Sequence, residues 1–345
     1  MHFPVGRSAV TRVPMWPCVA ALVLALAACS ALPARDRLVP VRVDHHVHVN
    51  SPAIRDFLPG YCKSVERYGG CDPAITAPLT PDDLLRAMDR AGVRRALVMS
   101  TGYLAESPMM VPQRADAAVL LRAANDWTVN LARESGGRLG AFVAIDPLRP
   151  DALPEIMRWR GNPAVTGIKL HLTASGVNLR RDRDVAALKA VFHAAADARL
   201  AIMIHLRPAS MDYGARDVQR FLAEVLPAAG DTPVQIAHAG GWGGLDQATL
   251  SALGAFADAF ARHPGKFRHV WFDLADVWRD DSRPADKQAL VALIRRIGLR
   301  HFLPASDWPF SGDLVDYYSR RYPELPLTAA EWKILRSQVA PYAKR

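Results

Sequence analysis

The chain has 345 residues, half of them hydrophobic and 22% charged, a balance that excludes a disordered chain and an integral membrane bundle. Its 43 Lys and Arg outnumber 34 Asp and Glu, which gives a formal net charge of +9. That excess would suit an anionic partner, but the basic residues are scattered and no dense Lys/Arg run with interleaved aromatic residues indicates nucleic-acid binding. The length suits one large barrel or two ordinary domains.

The first 28 residues predict an export signal peptide. Arg7 and Arg12 precede an apolar run over residues 18–28, which is well short of the roughly 20 residues that a membrane-spanning helix needs. Basic residues, a short apolar core and small residues at its end are typical of a secretory signal.

Cys29 follows Leu-Ala-Ala, and this junction resembles a bacterial lipoprotein signal. The resemblance implies that Cys29 is lipidated and becomes the mature N-terminus, so that acyl chains anchor the protein to a membrane. Ser30, in place of an Asp, resembles the pattern of lipoproteins on the periplasmic face of the bacterial outer membrane. An ordinary cleaved signal with an incidental cysteine is the alternative. Residues 29–40 are predicted to form a tether.

Residues 50–80 form a long segment after the first predicted strand, and they contain Cys62 and Cys71. In an oxidising compartment these two cysteines most simply form a local disulfide. A metal-binding pair is the weaker alternative, because no further cysteine lies nearby to complete a thiolate site. We therefore expect a disulfide-stapled loop insertion at the rim of the domain.

Short β-rich runs alternate with amphipathic segments along the rest of the chain. This alternation implies a parallel sheet, and eight such units in about 270 residues fit one closed (β/α)8 TIM barrel. A two-domain doubly wound fold is the alternative, but no Gly-x-Gly-x-x-Gly follows an early strand. The barrel is predicted over residues 41–345, with strands over 41–49, 96–100, 139–146, 165–172, 201–206, 234–239, 270–275 and 302–306. Helices are predicted over 81–91, 114–134, 184–198, 218–228, 250–262 and 285–297.

Histidines cluster where these strands end, which in a barrel is the rim that carries the chemistry. His46 and His48 lie two residues apart on the first strand, so both imidazoles face the barrel mouth and can bind one ion. His45 must point away, where it packs or hydrogen-bonds outside the lumen. A His-x-His pair alone is weak evidence, because a polar strand end can simply reach water.

Three further strand ends strengthen the case for a metal site. His205 ends the fifth strand, His238 ends the sixth, and Asp307 follows the eighth. A histidine after a largely apolar strand must be buried or face the rim, and burial without a partner is costly. Three imidazoles and a carboxylate form a ligand set suited to Zn²⁺ or a similar divalent ion.

Five motifs stand in order on these strands: Asp44-x-His46-x-His48, Gly167-Ile168-Lys169-Leu170-His171, Ile204-His205, Ala237-His238-Ala239-Gly240-Gly241 and Ser306-Asp307-Trp308-Pro309. Together they resemble the amidohydrolase superfamily, and more narrowly its amidohydrolase-related branch of metal-dependent TIM-barrel hydrolases and decarboxylases. The resemblance covers roughly residues 41–340. Each motif alone is modest, whereas the five in sequence are specific.

The resemblance implies that His46, His48, His205 and Asp307 bind a divalent metal, most simply one Zn²⁺, which lowers the pKa of its bound water. Asp307 would take a proton from that water and hand it to the leaving group. His238 would either bind a second metal or hydrogen-bond the nucleophile or the substrate's carbonyl oxygen. The implied activity is hydrolysis of a small-molecule amide, ester or lactone.

Two roles are open for Lys169. In binuclear members of the superfamily a lysine on the fourth strand is carboxylated and bridges two metals. In many members of this branch the lysine instead binds substrate or an internal acid beside a single metal, and this role is favoured here. His171 shares the face of Lys169, and it is either a substrate contact or a packed surface histidine.

Three residues just after strand ends are predicted substrate contacts. Arg207 would clamp a carboxylate, with a salt bridge to a helix as the alternative. Trp242 and Trp308 would wall an apolar pocket, unless they pack loops. Weaker candidates are Asn50, Tyr103 and Asp276.

Two rival functions stay open. A decarboxylase would use the same metal site on an aromatic or unsaturated acid, and a strongly basic pocket built from Arg207 and Lys169 would favour it. A catalytically inactive barrel that binds at the membrane is disfavoured, because it has no need of the intact histidine and aspartate set. A serine hydrolase is excluded for want of a Gly-x-Ser-x-Gly elbow. The sequence identifies neither the substrate nor the oligomeric state.

Overall fold

The structure, a computed structural model, describes residues 38–344. The predicted signal peptide and Cys29 lie outside the described residues, so export and lipidation stay predictions. Residues Val39–Arg345 form one compact unit. Among the described residues, no helix combines the length and the apolar character needed to cross a membrane.

Eight parallel strands follow one another around a barrel, each paired with the next in the sequence. The ring closes where the last segment meets the first strand: Pro304 O accepts from His45 N at 3.1 Å, and His46 O accepts from Asp307 N at 2.8 Å. This confirms the predicted (β/α)8 TIM barrel. The strands are β1 (Val43–His48), β2 (Arg95–Met99), β3 (Leu139–Ala144), β4 (Val165–His171), β5 (Ala201–His205), β6 (Val234–Ile236), β7 (Val270–Asp273) and β8 (Phe302–Leu303).

Helices occupy the connections between the strands. They are α1 (Pro52–Ser64), α2 (Pro73–Thr76), α3 (Pro81–Ala91), α4 (Ala117–Glu134), α5 (Ala152–Arg158), α6 (Asp182–Ala198), α7 (Ala215–Arg220), α8 (Gln247–Arg262), α9 (Pro284–Ile297), α10 (Leu314–Asp316) and α11 (Ala329–Ser337).

Local sequence determines the ends of α3 at the predicted residues. The Thr80 side chain accepts from Asp83 N, the Asp83 side chain accepts from Thr80 N, and Pro81 occupies the first helical position. Gly92 follows the helix at φ 71°, in the left-handed region that favours glycine.

The insertion after β1 is largely helical, which differs from the predicted loop. Cys62 in α1 and Cys71 before α2 form the predicted disulfide, with their Cα atoms 5.2 Å apart. The apolar face of α1 packs into a buried cluster with residues that follow β2 and β4. Pro59 and Gly60 interrupt the helical pattern of this segment, which is why its sequence resembles a loop.

The interior of the barrel has an apolar floor, built from residues such as Phe142, Met203 and Leu303. Polar side chains lie above that floor, toward the carboxyl ends of the strands. A β-bulge in β1 between Asp44 and Val47 places one extra residue opposite β2. Bulges re-aim side chains beside active sites, and this one changes which residues of β1 face inward.

Candidate metal centre and active site

Three potential ligand atoms converge at the carboxyl end of the barrel. His46 Nε2 and His48 Nε2 lie 3.1 Å apart. Asp307 Oδ1 lies 3.4 Å from the first nitrogen and 3.2 Å from the second. Ligand atoms about 2.1 Å from a shared ion are separated by roughly such distances. β1 supplies both imidazoles from one face, and the segment after β8 supplies the carboxylate.

His45 faces the opposite side of β1, as its position in the strand predicts. Its Nδ1 lies 2.9 Å from Pro304 O, and its Nε2 accepts from Ala340 N at 3.2 Å. Both ring nitrogens are therefore satisfied outside the cavity.

Asp273, at the end of β7, orients His46. His46 Nδ1 donates to Asp273 Oδ2 at 3.1 Å, and Gln235 Nε2 donates to the same oxygen at 2.7 Å. Because an ionised carboxylate oxygen can only accept, the ring proton lies on Nδ1 and Nε2 keeps its lone pair for an ion. Asp273 Oδ1 also accepts from His238 N at 2.8 Å, so one buried carboxylate positions residues of β1 and of the β6 end.

His205 ends β5 and lines the same cavity. It is 2% exposed, and neither of its ring nitrogens has a hydrogen-bond partner in the described part of the chain. Its ring stacks on His171 with centroids 4.0 Å apart. Leaving a buried polar group without a partner costs about 1–3 kcal/mol, and a metal ion would satisfy this imidazole.

His238 and Asp307 adopt left-handed backbone conformations, with φ of 53° and 61°. Such conformations cost about 1–3 kcal/mol each and concentrate at functional sites. Both residues follow a strand end, and both line the cavity. His238 Nδ1 donates to Ala275 O at 2.8 Å, so Nε2 is the ring nitrogen that this hydrogen bond leaves available.

Lys169 is 1% exposed and lies on the cavity floor. Its Nζ is 3.1 Å from His46 Nε2 and 3.3 Å from Met203 Sδ. Burial lowers the pKa of Lys169 to about 8. Within residues 38–344, no carboxylate forms an ion pair with it, and its two predicted roles both stay predictions.

Burial favours the neutral form of three histidines of the site. Burial lowers the pKa of His46, His48 and His205 below the usual value, and the neutral imidazole is the form that binds metals. Burial raises the pKa of the Asp307 carboxyl, and the positive charge that His46 and His48 would carry when protonated opposes this and lowers it.

A cavity of about 190 Å³ opens above these residues. Of the predicted substrate contacts, Lys169, His171 and Trp242 line it. Trp308 does not, because its 5% exposed side chain packs beside the barrel, and its carbonyl oxygen accepts from His48 N.

Arg207, a predicted substrate contact, does not line this cavity. Its Nη1 donates to Asp246 Oδ2 at 2.7 Å, and the side chain lines a neighbouring groove. The ion pair with the N-cap residue of α8 draws the guanidinium away from the cavity. The alternative weighed for this residue, a salt bridge, is the arrangement found.

Arg279 and several loop residues of the cavity wall were not predicted from the sequence. Arg279 Nη2 donates to Asp276 Oδ2 at 2.7 Å, and both residues line the cavity. Asp276, a weaker candidate in the sequence, is in the left-handed conformation at φ 45°. Asp72 from the insertion and Phe310 after β8 complete the wall. These loops carry no periodic pattern, and only their position after a strand end marks them.

The donor set fits a divalent metal ion. Imidazole nitrogens and a carboxylate oxygen stand at ligand spacing in the group His46, His48 and Asp307. Burial favours the neutral form of His46 and His48, Asp273 fixes the tautomer of one of them, and His205 adds a buried imidazole with no hydrogen-bond partner among the described residues.

A family model and several solved structures match this chain. The family model described as amidohydrolase matches residues 43–333 of the chain. Among curated proteins there is no significant match.

Solved structures share the fold. 2,6-dihydroxybenzoate decarboxylase from Rhizobium is 18% identical, with a TM-score of 0.60 over 89% of this chain and 99% of that one. 5-carboxyvanillate decarboxylase from Novosphingobium aromaticivorans, complexed with manganese, is 16% identical, with a TM-score of 0.59 over 91% of this chain and 100% of that one. A "probable 2-pyrone-4,6-dicarboxylic acid hydrolase" from Acinetobacter baumannii is 14% identical, with a TM-score of 0.52 over 86% of this chain and 96% of that one.

Proposed function

Because the chain belongs to the amidohydrolase family, we propose that it is a metal-dependent hydrolase that cleaves a small amide, ester or lactone at its carbonyl carbon. One observation carries the proposal. His46 Nε2, His48 Nε2 and Asp307 Oδ1 converge at a cavity that is also lined by His205, whose imidazole has no hydrogen-bond partner among the described residues.

His46, His48, His205 and Asp307 would hold one divalent ion. Three imidazoles and one carboxylate favour Zn²⁺, and manganese is the alternative, because it is present in the 5-carboxyvanillate decarboxylase complex. When bound, such an ion polarises a carbonyl oxygen and lowers the pKa of water. Two ions with a carboxylated Lys169 are the alternative stoichiometry.

Asp307 is positioned to carry the proton of the reaction. Its carboxylate lines the cavity 3.2 Å from His48 Nε2, so it can accept a proton from an attacking water and return it to the leaving group. His238 has its Nδ1 proton committed to Ala275 O, and its Nε2 accepts a hydrogen bond from the same water. Lys169 donates to an oxygen atom of the substrate.

The cavity favours a small substrate with little charge. Its volume of about 190 Å³ is below the roughly 300–1,000 Å³ of pockets that take drug-sized ligands. Among the described residues, its charged lining consists of two cations, Lys169 and Arg279, and three anions, Asp72, Asp276 and Asp307. A strongly basic pocket was the feature expected of a decarboxylase. These five side chains and one divalent ion would together carry a charge of +1, and this site favours hydrolysis of a neutral or singly charged carbonyl compound.

Decarboxylation of a singly charged aromatic acid is the second candidate. Tyr103, Trp242 and Phe310 place aromatic rings around the cavity, where they could stack on a planar substrate. Two of the structures described above are decarboxylases of hydroxylated aromatic acids. Asp307 would then deliver a proton to the ring carbon that loses the carboxyl group.

Isotope labelling separates the two reactions. The metal-loaded protein is incubated with panels of lactones, esters and amides, and of hydroxybenzoates, in H2¹⁸O and in D2O. Hydrolysis places one solvent oxygen in the product acid, whereas decarboxylation releases CO2 and places solvent deuterium on carbon. The same panel with Asp307→Asn is the control. If no substrate of either panel is turned over while metal and ligands bind, the inactive binding barrel replaces both candidates.

We also propose that the protein is exported and anchored through a lipid on Cys29, since the sequence junction is of the lipoprotein type. Mass spectrometry of the mature N-terminal peptide from membranes tests this. Acyl chains on Cys29 are expected, and an unmodified N-terminus beyond Cys29 would contradict the proposal.

A further inference from the structure

The N-terminal end of the barrel, opposite the cavity, is strongly basic. We call this surface the N-terminal face and define it as residues 38–42, 92–95, 135–138, 159–164, 199–200, 230–233, 263–269, 298–301 and 338–344, which lead into the strands or close the barrel floor. It contains ten basic residues and a single acidic one, Asp231. The ten are Arg42, Arg94, Arg95, Arg138, Arg160, Arg199, Lys266, Arg268, Arg300 and Lys344.

Few of these charges are neutralised locally. Arg138 pairs with Asp89 and Arg268 pairs with Asp231. The other eight have no carboxylate within ion-pair distance in the part of the chain that the structure describes, and most of them are exposed. The face therefore concentrates much of the net positive charge that looks scattered along the sequence.

A cavity of about 640 Å³ opens in this face. Arg95, Arg160 and Arg199 line it together with apolar and uncharged polar side chains, and none of the described residues of its wall is acidic. Arg95 Nη1 donates to Gly137 O at 2.8 Å, while Arg95 Nε is buried with no acceptor among the described residues. Guanidinium groups without a carboxylate partner are suited to phosphate.

The chain also enters the barrel at this face. Val39 lies four residues before β1 begins, and its carbonyl oxygen accepts from Arg336 Nε at the end of α11. The predicted lipidation site, Cys29, lies ten residues before Val39, and ten extended residues span about 35 Å at most. A lipid at that position would keep the N-terminal face close to a bilayer, whereas the active-site cavity opens at the other end.

We propose that the N-terminal face binds the surface of an anionic membrane, with the phosphate of an anionic phospholipid in the cavity of Arg95, Arg160 and Arg199. The charge excess supplies the attraction. The cavity of the active site then opens away from the bilayer, toward soluble substrates. Nucleic acid is the other polyanion that such a face could attract, but the described aromatic residues of the face, Trp159, Phe267 and Tyr342, are buried and present no exposed ring on which a base could stack.

Vesicle binding of the unacylated mature chain, residues 30–345, tests the proposal, because this chain contains the whole compact unit. Co-sedimentation is measured with phosphatidylcholine vesicles that contain or lack phosphatidylglycerol. Binding is expected only to the anionic vesicles, and it should weaken as salt screens the surface.

Two triple variants locate the binding surface. Arg160→Gln/Arg199→Gln/Arg300→Gln removes three charges from the N-terminal face, and it should lower the partition coefficient about 100-fold, since each basic residue near the surface contributes about fivefold. The matched control, Arg67→Gln/Arg114→Gln/Arg216→Gln, removes three exposed arginines from the opposite half of the barrel. It should change binding by less than about twofold.

The outcomes are distinct. Equal losses in the two triple variants, or no binding of the unaltered chain to anionic vesicles, would overturn the proposal. Tighter binding to duplex DNA or RNA than to anionic vesicles at the same salt would assign the face to nucleic acid instead. Thermal melting and metal content establish that both variants are folded, and turnover of a substrate should be the same in all three proteins.

Discussion

Replacing Asp273 by Asn tests whether one buried carboxylate prepares the metal site. Asp273 accepts hydrogen bonds from His46 Nδ1, Gln235 Nε2, His238 N and Ala275 N. Asn keeps one oxygen and replaces the other with an NH2 group that only donates. Whichever way the amide turns, two of the four donors lose their acceptor.

The expected loss follows from the tautomer of His46. Facing an NH2 group, His46 can keep a hydrogen bond only by moving its proton from Nδ1 to Nε2, which removes the lone pair that would bind the ion. Loss of such a partner costs about 10–100-fold in metal affinity, or about 1.4–2.7 kcal/mol. If the amide turns the other way, His238 N is left unsatisfied, and the metal-free protein loses about 1–3 kcal/mol of its free energy of unfolding.

Competition with a chromophoric chelator measures the dissociation constant of Zn²⁺ or Mn²⁺ for the metal-free protein and the variant. Asp217→Asn is the matched control, because Asp217 is 1% exposed and accepts from Arg180 Nε and Gly214 N in a different part of the molecule. It should lower the melting temperature and leave the metal affinity within about twofold. If the Asp273→Asn variant binds metal as tightly as the unaltered protein and its melting temperature is unchanged, Asp273 does not prepare the metal site.

Three further predictions concern the insertion, a buried acid and the metal. Cys62→Ala/Cys71→Ala removes a disulfide of sequence separation 9, which should cost about 2.5 kcal/mol of unfolding free energy. Because residues after the disulfide line the cavity, the variant should raise KM more than it lowers kcat. Steady-state kinetics with an unchanged KM would contradict this. Burial raises the pKa of Glu106 to about 7 from 4.5, so the folded state retains a proton that the unfolded state releases. The unfolding free energy should therefore fall as the pH rises from about 5 to about 7. Glu106→Gln should remove that component and raise the melting temperature above pH 7, and melting curves of the variant that keep the full pH dependence would refute it. His205→Ala should abolish both bound metal, measured by elemental analysis, and activity, whereas His193→Ala on the exposed surface of α6 should keep both; metal retained by His205→Ala would remove it from the ligand set.

The strands could be located from the sequence because each is an apolar run between polar segments, but all eight were predicted to end one to three residues too late, and the error is largest for the sixth and the eighth. The sixth was predicted over 234–239 and ends at Ile236, and the eighth was predicted over 302–306 and ends at Leu303. In both cases the backbone turns into a left-handed residue soon afterwards, His238 or Asp307. That turn ends the hydrogen bonding between the strands and directs the side chain into the cavity. Local sequence propensity does not predict it.

Contacts between distant segments explain the other differences. Asp273 lies 227 residues from the His46 ring that it orients, so its role appears only when β7 and β1 are brought together by the barrel. Arg207 and Arg279 are both arginines just after a strand, and the sequence offers no way to rank them. The structure separates them because Asp246 draws the first into a neighbouring groove, while Asp276 holds the second at the cavity.

The sequence by itself determined the order of strands and helices, the pairing of Cys62 with Cys71 and the presence of histidines at strand ends, because these depend on periodicity and short spacing. Only the tertiary structure decided which carboxylate fixes the tautomer of His46, and that ten scattered basic residues lie on one face. Closing the barrel brings the ends of eight distant strands together, and the charge of a surface depends on where those ends meet.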